Sequence, residues 1–284
     1  TPPASGWATE SEPMILFGTN PIAWANDDDQ SIGADIPTAR ILDEAGRQIG
    51  FDGIENGHRW PDDPEELRAL LGSYGLKFIS GWYSTELLVR SVEDEIKACQ
   101  HHLAKLKHNG CQVMIVCETS NAIHGDEGKP VNDRPRLTSS EMVAFGAKLE
   151  AFAAYLAGEG VTLVYHHHMG TIVESPAEID ALMAATGPHT HLLFDAGHCA
   201  FTGLRFGDVT CVNRQVQRVF GDRGWRKQDR VHLNALFAAR ELGCAFDGVQ
   251  RRATGQSRGD FSRRLAKLAR VFPHRNGLGA TGHT

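Results

Sequence analysis

Val161–Thr171 reads VTLVYHHHMGT, and further along His191–Cys199 reads HLLFDAGHC. Each is an apolar run of strand length that stops abruptly in groups able to bind a metal or move a proton. The first ends in His166, His167 and His168, followed by Gly170; the second ends in Asp195 and His198, with Gly197 between them. Ligands of parallel α/β sheets bind beyond the carboxyl ends of the strands. Two neighbouring strands that end in His and Asp therefore outline a site as well as a fold.

Working outward, the same grammar repeats. Met14–Thr19, Phe51–Glu55, Leu76–Ser80, Val113–Val116, Val161–Tyr165 and a core at Leu192–Phe194 read as six strands. Helical spacing falls between them at Ala39–Ile49, Pro64–Tyr74, Ser91 to Asn109, Ser139–Ala157 and Glu174–Ala184. Ser91 is an N-cap, and Gly50, Gly75, Gly110 and Gly160 stand where helices stop. Alternation of strand and helix implies right-handed crossovers and a parallel sheet. Six such strands suit either a doubly wound sheet or most of a (β/α)₈ barrel. No glycine-rich phosphate loop follows the first strand, so nucleotide binding has no support. Polar groups follow nearly every strand: Asn20, Glu55, Trp82, Glu118, the three histidines, Asp195 and His198. A barrel gathers these ends round one mouth, whereas an open sheet spreads them along an edge. The expectation is an α/β TIM barrel whose last two βα units are atypical or missing.

No stretch of the 284 residues approaches the roughly 18 consecutive apolar residues of a membrane span. Thr1–Pro13 reads as a disordered lead-in without a secretory pattern, and a cytoplasmic location is expected. The six cysteines show no CxxC spacing and read as reduced thiols. The lysine-rich KACQHHLAKLK stretch reads as a solvated helix face, with His101 and His102 on the surface. Neither a nucleic-acid nor a membrane partner is expected; a homo-oligomer is compatible with the sequence.

Strand alternation sends His166 and His168 to one side and His167 to the other. A carboxylate beside imidazoles suits Mn, Co, Zn or Fe. Glu118, after VMIVC, reads equally as a site carboxylate or a loop residue. Trp24 and Trp82 read as packing or as an apolar wall of a polyol pocket.

GTNPIAW, FDGIENG, YHHHMGT and LLFDAGHCAFTG together resemble the myo-inosose-2 dehydratases, inositol-catabolic lyases of the xylose isomerase-like TIM-barrel superfamily. The resemblance runs from about Met14 to Gly203. It implies a barrel that dehydrates 2-keto-myo-inositol (scyllo-inosose) to a trihydroxycyclohexane-dione with Mn or Co. It also implies that His166 and Asp195 bind the metal. His198, His168 and Glu118 are then the catalytic candidates, with acid and base unassigned among them. Asn20, Glu55, Trp82 and His167 are read as substrate-binding, and the partner is a small cyclic polyol ketone. A sugar isomerase or epimerase of the same superfamily is the rival enzyme, although it would want a Glu where His166 stands. A catalytically impaired remnant is the non-enzymatic rival.

Past Gly203 the composition changes. Arg205–Thr284 holds 14 Arg and 2 Lys against 6 acidic residues, while the preceding part holds 13 basic and 29 acidic. The HxHxKD-like and ExE-like ligand motifs implied by the resemblance are absent, with VHLNALF at Val231–Phe237 the only echo. A basic binding tail, a divergent end of the barrel and out-of-frame translation compete as explanations. Out-of-frame translation accounts for the lost motifs and the charge reversal together.

Overall fold

The computed structural model describes residues 17–202 apart from Glu127 and Phe194. The expected lead-in, the start of the first strand and the arginine-rich tail with its rival explanations lie outside the described residues.

Among the described residues seven parallel strands form two ladders: β1 (Gly18–Thr19), β2 (Gly53–Ile54) and β3 (Lys77–Phe78) in one, and β4 (Trp82–Thr85), β5 (Val113–Glu118), β6 (Thr162–His166) and β7 (Thr190–Leu193) in the other. Within each ladder the strands pair in sequence order, 1-2-3 and 4-5-6-7. A doubly wound sheet reverses its order at a switch point. Among the described residues no reversal occurs, so successive right-handed crossovers lay the helices on one face, as in a barrel.

The sequence reading had one strand at Leu76–Ser80 leading to Trp82; here β4 is a second paired segment. The pairing changes partner across Gly81. Before it, Asn56 N–H donates to Ser80 O at 2.8 Å; after it, Trp82 pairs with Ile115. One extended segment, interrupted at residues 79–81, therefore serves two ladders, and the two ladders fill six barrel positions. Gly81 is required there, because a Cβ would come 2.9 Å from both Asn56 Cβ and His102 Cε1.

The helices are α1 (Thr38–Leu42), α2 (Pro64–Ser73), α3 (Val92–Ala98), α4 (Gln100–His108), α5 (Ser139–Gly158), α6 (Pro176–Ala185) and α7 (Ala196–Phe201). Their starts follow local chemistry. Asp63 and Ser91 accept hydrogen bonds from first-turn N–H groups, and Thr138 with Glu141 and Ser175 with Glu178 form reciprocal capping boxes. The four stopping glycines have φ between +72° and +84°. Three details depart from the expected helices. The first continues beyond Leu42 as wider π-type turns over Asp43–Ile49. The helix expected from Ser91 to Asn109 breaks at Cys99 into α3 and α4. The six residues of α7 were not anticipated at all.

The strands divide the core in two. Met114, Val116, Leu163, Tyr165 and Leu192 face the helices, where they meet Phe145, Leu149 and Phe152 of α5 and Ile179 and Leu182 of α6 in one cluster. Val113, Ile115, Val164 and Leu193 face the other way and, with Trp82, make the barrel floor. Full burial of each large side chain contributes about 1.5–3 kcal/mol. Glu150 of α5 ties down the turn before β7 by accepting N–H bonds from Gly187, His189 and Thr190 at 2.9, 3.0 and 3.1 Å. Burial alone would raise its pKa, but these donors outweigh that and hold it at about 2. Among the described residues no helix is long and apolar enough to cross a membrane.

His102 corrects the surface reading of the lysine-rich stretch. His101 is exposed, as expected, but His102 packs on Tyr83 with ring centroids 5.6 Å apart, and its Nε2 is buried without a partner. Burial pushes its pKa down to about 4, with Lys105 and His101 adding to the effect. A histidine depressed in the folded state favours unfolding once it protonates. Stability should therefore fall as pH drops from about 6.5 toward 4. Urea midpoints measured across that window should fall less steeply for His102→Gln than for the wild type; parallel curves would remove His102 from the acid sensitivity.

Candidate active site

Above the barrel floor the chain assembles a ring of imidazoles and carboxylates. His166, in phase with Val164, ends β6 on the inner face. Two residues on, His168 has left the strand but stays on the same side. Trp82 stands edge-on to both, with ring centroids at 5.5 and 5.4 Å. Asp195 precedes α7, and its Oδ1 accepts from His198 N–H at 2.8 Å. That cap explains why DAGH folds into a helical turn, and it swings the His198 ring 4.1 Å from that of His168 and 5.1 Å from that of His166.

Ligand atoms of His166, Asp195 and His198 lie within 4.8 Å of one another. His166 Nε2 is buried, has no hydrogen-bond partner and stands 3.5 Å from Asp195 Oδ2. A buried nitrogen left unsatisfied is costly, and its position opposite a carboxylate oxygen fits a cation placed between the two. Burial would raise the pKa of Asp195, but His166 beside it and the His198 imidazole and N–H hold it well below the usual carboxylate range. Burial pushes His198 down to about 4 and His168 well below its ordinary value. The set is therefore anionic at Asp195, with neutral imidazoles at His168 and His198, as a divalent-metal site requires.

Among the residues read as substrate-binding, Trp82 and Glu55 reach this cluster. Burial raises the Glu55 pKa, while His166 lowers it and Asp195 raises it further, so all three share one field. Asn20 donates to Glu55 Oε2 at 2.7 Å, and its own Oδ1 accepts from Ile22 N–H; it positions Glu55. His167 lies on the opposite side, wholly buried, where its Nε2 meets Asp195 N–H and Cys199 Sγ at 3.4 and 3.7 Å. It braces the second motif from behind and faces away from His166 and His168. Burial pushes its pKa down to about 3.

Glu118 is likewise turned away. It is in phase with Met114 and Val116, on the helix side. Its carboxylate accepts from Leu87 N–H at 2.7 Å, Ser120 N–H at 3.1 Å, and the Thr85 and Ser120 hydroxyls. With both oxygens occupied, it ties the ends of β4 and β5 together. Trp24 is core, 1% exposed, with its Nε1 donating to Glu44 at 2.7 Å.

The cluster also contains a residue outside every motif. His124, in the long loop after β5, sits with its ring centroid 4.9 Å from that of His168 and 6.4 Å from that of Trp82. Ile123 N–H donates to Gly170 O at 2.9 Å, and a Cβ on Gly170 would approach His124 N to 2.9 Å, so only glycine lets the two loops touch. The one sequence signal for His124 is its place in a loop that follows a strand, on the side where barrel sites form.

The sequence matches the xylose isomerase-like TIM barrel family over residues 44–240, running on past Gly203. It is 42% identical over 207 residues to the rhizopine catabolism protein MocC of Rhizobium meliloti, a match that covers 72% of this chain and 62% of that relative. It is 34% identical over 228 residues to an inosose dehydratase of Lacticaseibacillus casei, covering 78% of this chain and 76% of the relative. The fold superposes on a solved L-ribulose 3-epimerase with a TM-score of 0.52 at 16% identity, over 75% of this chain and 74% of that one. The match over residues 44–240 and the arrangement of the strands agree: the chain belongs to the xylose isomerase-like TIM barrel family.

Proposed function

We propose that this protein is a hydro-lyase that dehydrates a cyclic polyol ketone of the inosose type, with Mn or Co held by His166 and Asp195. The observation that carries the reading is the unpartnered His166 Nε2 facing Asp195 beneath two neutral imidazoles. The similarity to an inosose dehydratase over three quarters of both chains supports it.

When bound, such an ion polarises the substrate carbonyl oxygen and acidifies the adjacent C–H. The protein must then remove that proton and deliver one to the departing hydroxyl, and the two facing histidines are tuned for these tasks. His168 Nδ1 lies 2.9 Å from Met169 O; a carbonyl can only accept, so Nδ1 carries the hydrogen and Nε2 keeps a lone pair. His198 Nδ1 instead accepts from Met169 N–H at 3.4 Å, which leaves Nε2 as an N–H donor. One residue, Met169, thus sets opposite tautomers in adjacent rings. His168 would take the proton next to the carbonyl and, as the imidazolium so formed, return it to the departing hydroxyl, which the His198 Nε2–H orients by a hydrogen bond; the hydroxyl leaves as water as the C=C bond forms. Depressed basicity keeps both rings neutral at pH 7. Glu55, positioned by Asn20, and the Trp82 face bind the polyol.

Purified full-length protein loaded with Mn or Co should convert scyllo-inosose to the dione, followed by NMR with appearance of the vinylic product. Epimerised or isomerised ketose products without loss of water would move the assignment to the isomerase class. Metal binding without any turnover would identify a catalytically impaired relative.

A further inference from the structure

We infer that His124 is a substrate-contacting residue whose Nδ1 accepts a hydrogen bond from a hydroxyl of the bound polyol. This rests on the polyol-ketone reading of the site. His124 reaches the cluster from the loop between β5 and α5, packed on His168 and Trp82. Its two nitrogens have different surroundings. Nε2 stands 3.9 Å from Asp28 Oδ1, in the loop after β1. A carboxylate there favours the tautomer with the hydrogen on Nε2, which leaves Nδ1 as an acceptor. Nδ1 is buried and has no partner. Buried acceptors are nearly always satisfied, and beside His168 and Trp82, where the proposed polyol would sit, the group to hand is a ligand hydroxyl. The loop carrying it is fixed by the Ile123–Gly170 bond, so the ring is held in place before substrate arrives. His168 and His124 would thereby bracket the polyol from two loops, the first serving chemistry and the second choosing which hydroxyl pattern fits.

Three replacements separate the nitrogens. In His124→Asn the amide occupies roughly the place of Nδ1; in His124→Gln it occupies that of Nε2; His124→Phe keeps the ring and loses both. Each full-length variant is first titrated with Mn, read by electron paramagnetic resonance, and Mn affinity should stay within about twofold of wild type. Binding of scyllo-inosose and of a ketohexose panel is then measured by calorimetry on the Mn-loaded protein. Phe and Gln variants should bind the polyol about fivefold to tenfold more weakly, while Asn stays within about twofold. Equal behaviour of Asn and Gln, wild-type binding by all three, or loss of Mn binding would each overturn the assignment. If the wild type binds a ketohexose and not the inosose, the dehydratase reading fails, and the same Asn-against-Gln comparison on the ketohexose decides His124. A Mn-loaded wild type that binds none of the panel overturns both.

Discussion

Asp195→Asn should lower kcat/KM by about 10³-fold and Mn affinity by at least about 100-fold, with little change in stability. The asymmetry follows from the two oxygens of one carboxylate. Oδ1 caps α7 through His198 N–H, and an asparagine caps as well as an aspartate. Oδ2 faces the unpartnered His166 Nε2, and an amide supplies neither the charge nor a second anionic oxygen there. On the proposed dehydratase reading, losing the ion would remove several kcal/mol of stabilisation of charge developing on the carbonyl oxygen. Kinetics with titrated Mn, set beside a urea melt, checks both halves. A variant that melts like wild type but keeps its metal and its turnover would remove Asp195 from the ligand set.

The second large effect concerns stability. Arg134→Ala should cost about 3–5 kcal/mol, because it leaves two acidic groups without their cation. The Arg134 side chain is 5% exposed. Its Nη2 contacts both Glu178 oxygens at 2.8 and 2.9 Å, its Nε reaches Glu174 at 3.2 Å, and its Nη1 donates to Thr171 O at 3.0 Å. Glu174 in turn accepts from Gly170 N–H, and Glu178 from the N–H groups of Glu174 and Ser175. Burial would raise the Glu178 pKa, but Arg134 and those N–H groups outweigh it and keep it low. A depressed carboxylate contributes stability above its unfolded value of about 4.5 and loses it as pH falls through the folded value. Denaturant unfolding near pH 7 gives the cost directly; a loss below about 1 kcal/mol would show the triad to be dispensable. Since this network holds the turn after His168, turnover should fall with stability.

Most of the strands and helices were legible because apolar runs and stopping glycines punctuate the chain at regular intervals. The second half of the interrupted segment was not, since WYST follows a glycine that reads as the strand's end. α7 is too short for periodicity, and its one start signal, Asp195, also reads as a candidate site residue, which masked its capping. At the site, alternation separated His166 and His168 from His167 correctly, yet the triple histidine drew His167 in as a group. The side on which Glu118 lies was not legible for a different reason: every residue of VMIVCE is buried, so the sequence shows no alternation from which to read its phase. His124 had no local pattern to betray it, because its partner, the loop carrying Gly170, lies far along the chain.

The consecutive strand order bears on how the molecule comes into being. Within each ladder every strand after the first pairs with the one synthesised just before it, so each ladder can grow by addition at one edge as the chain leaves the ribosome, without waiting for distant segments. Such short-range pairing favours fast assembly. The chemistry lags behind the scaffold: Glu55 is in place early, but His166 waits for β6 and Asp195 for the residues after β7. The nascent protein therefore builds its walls first and completes the candidate site only near residue 200.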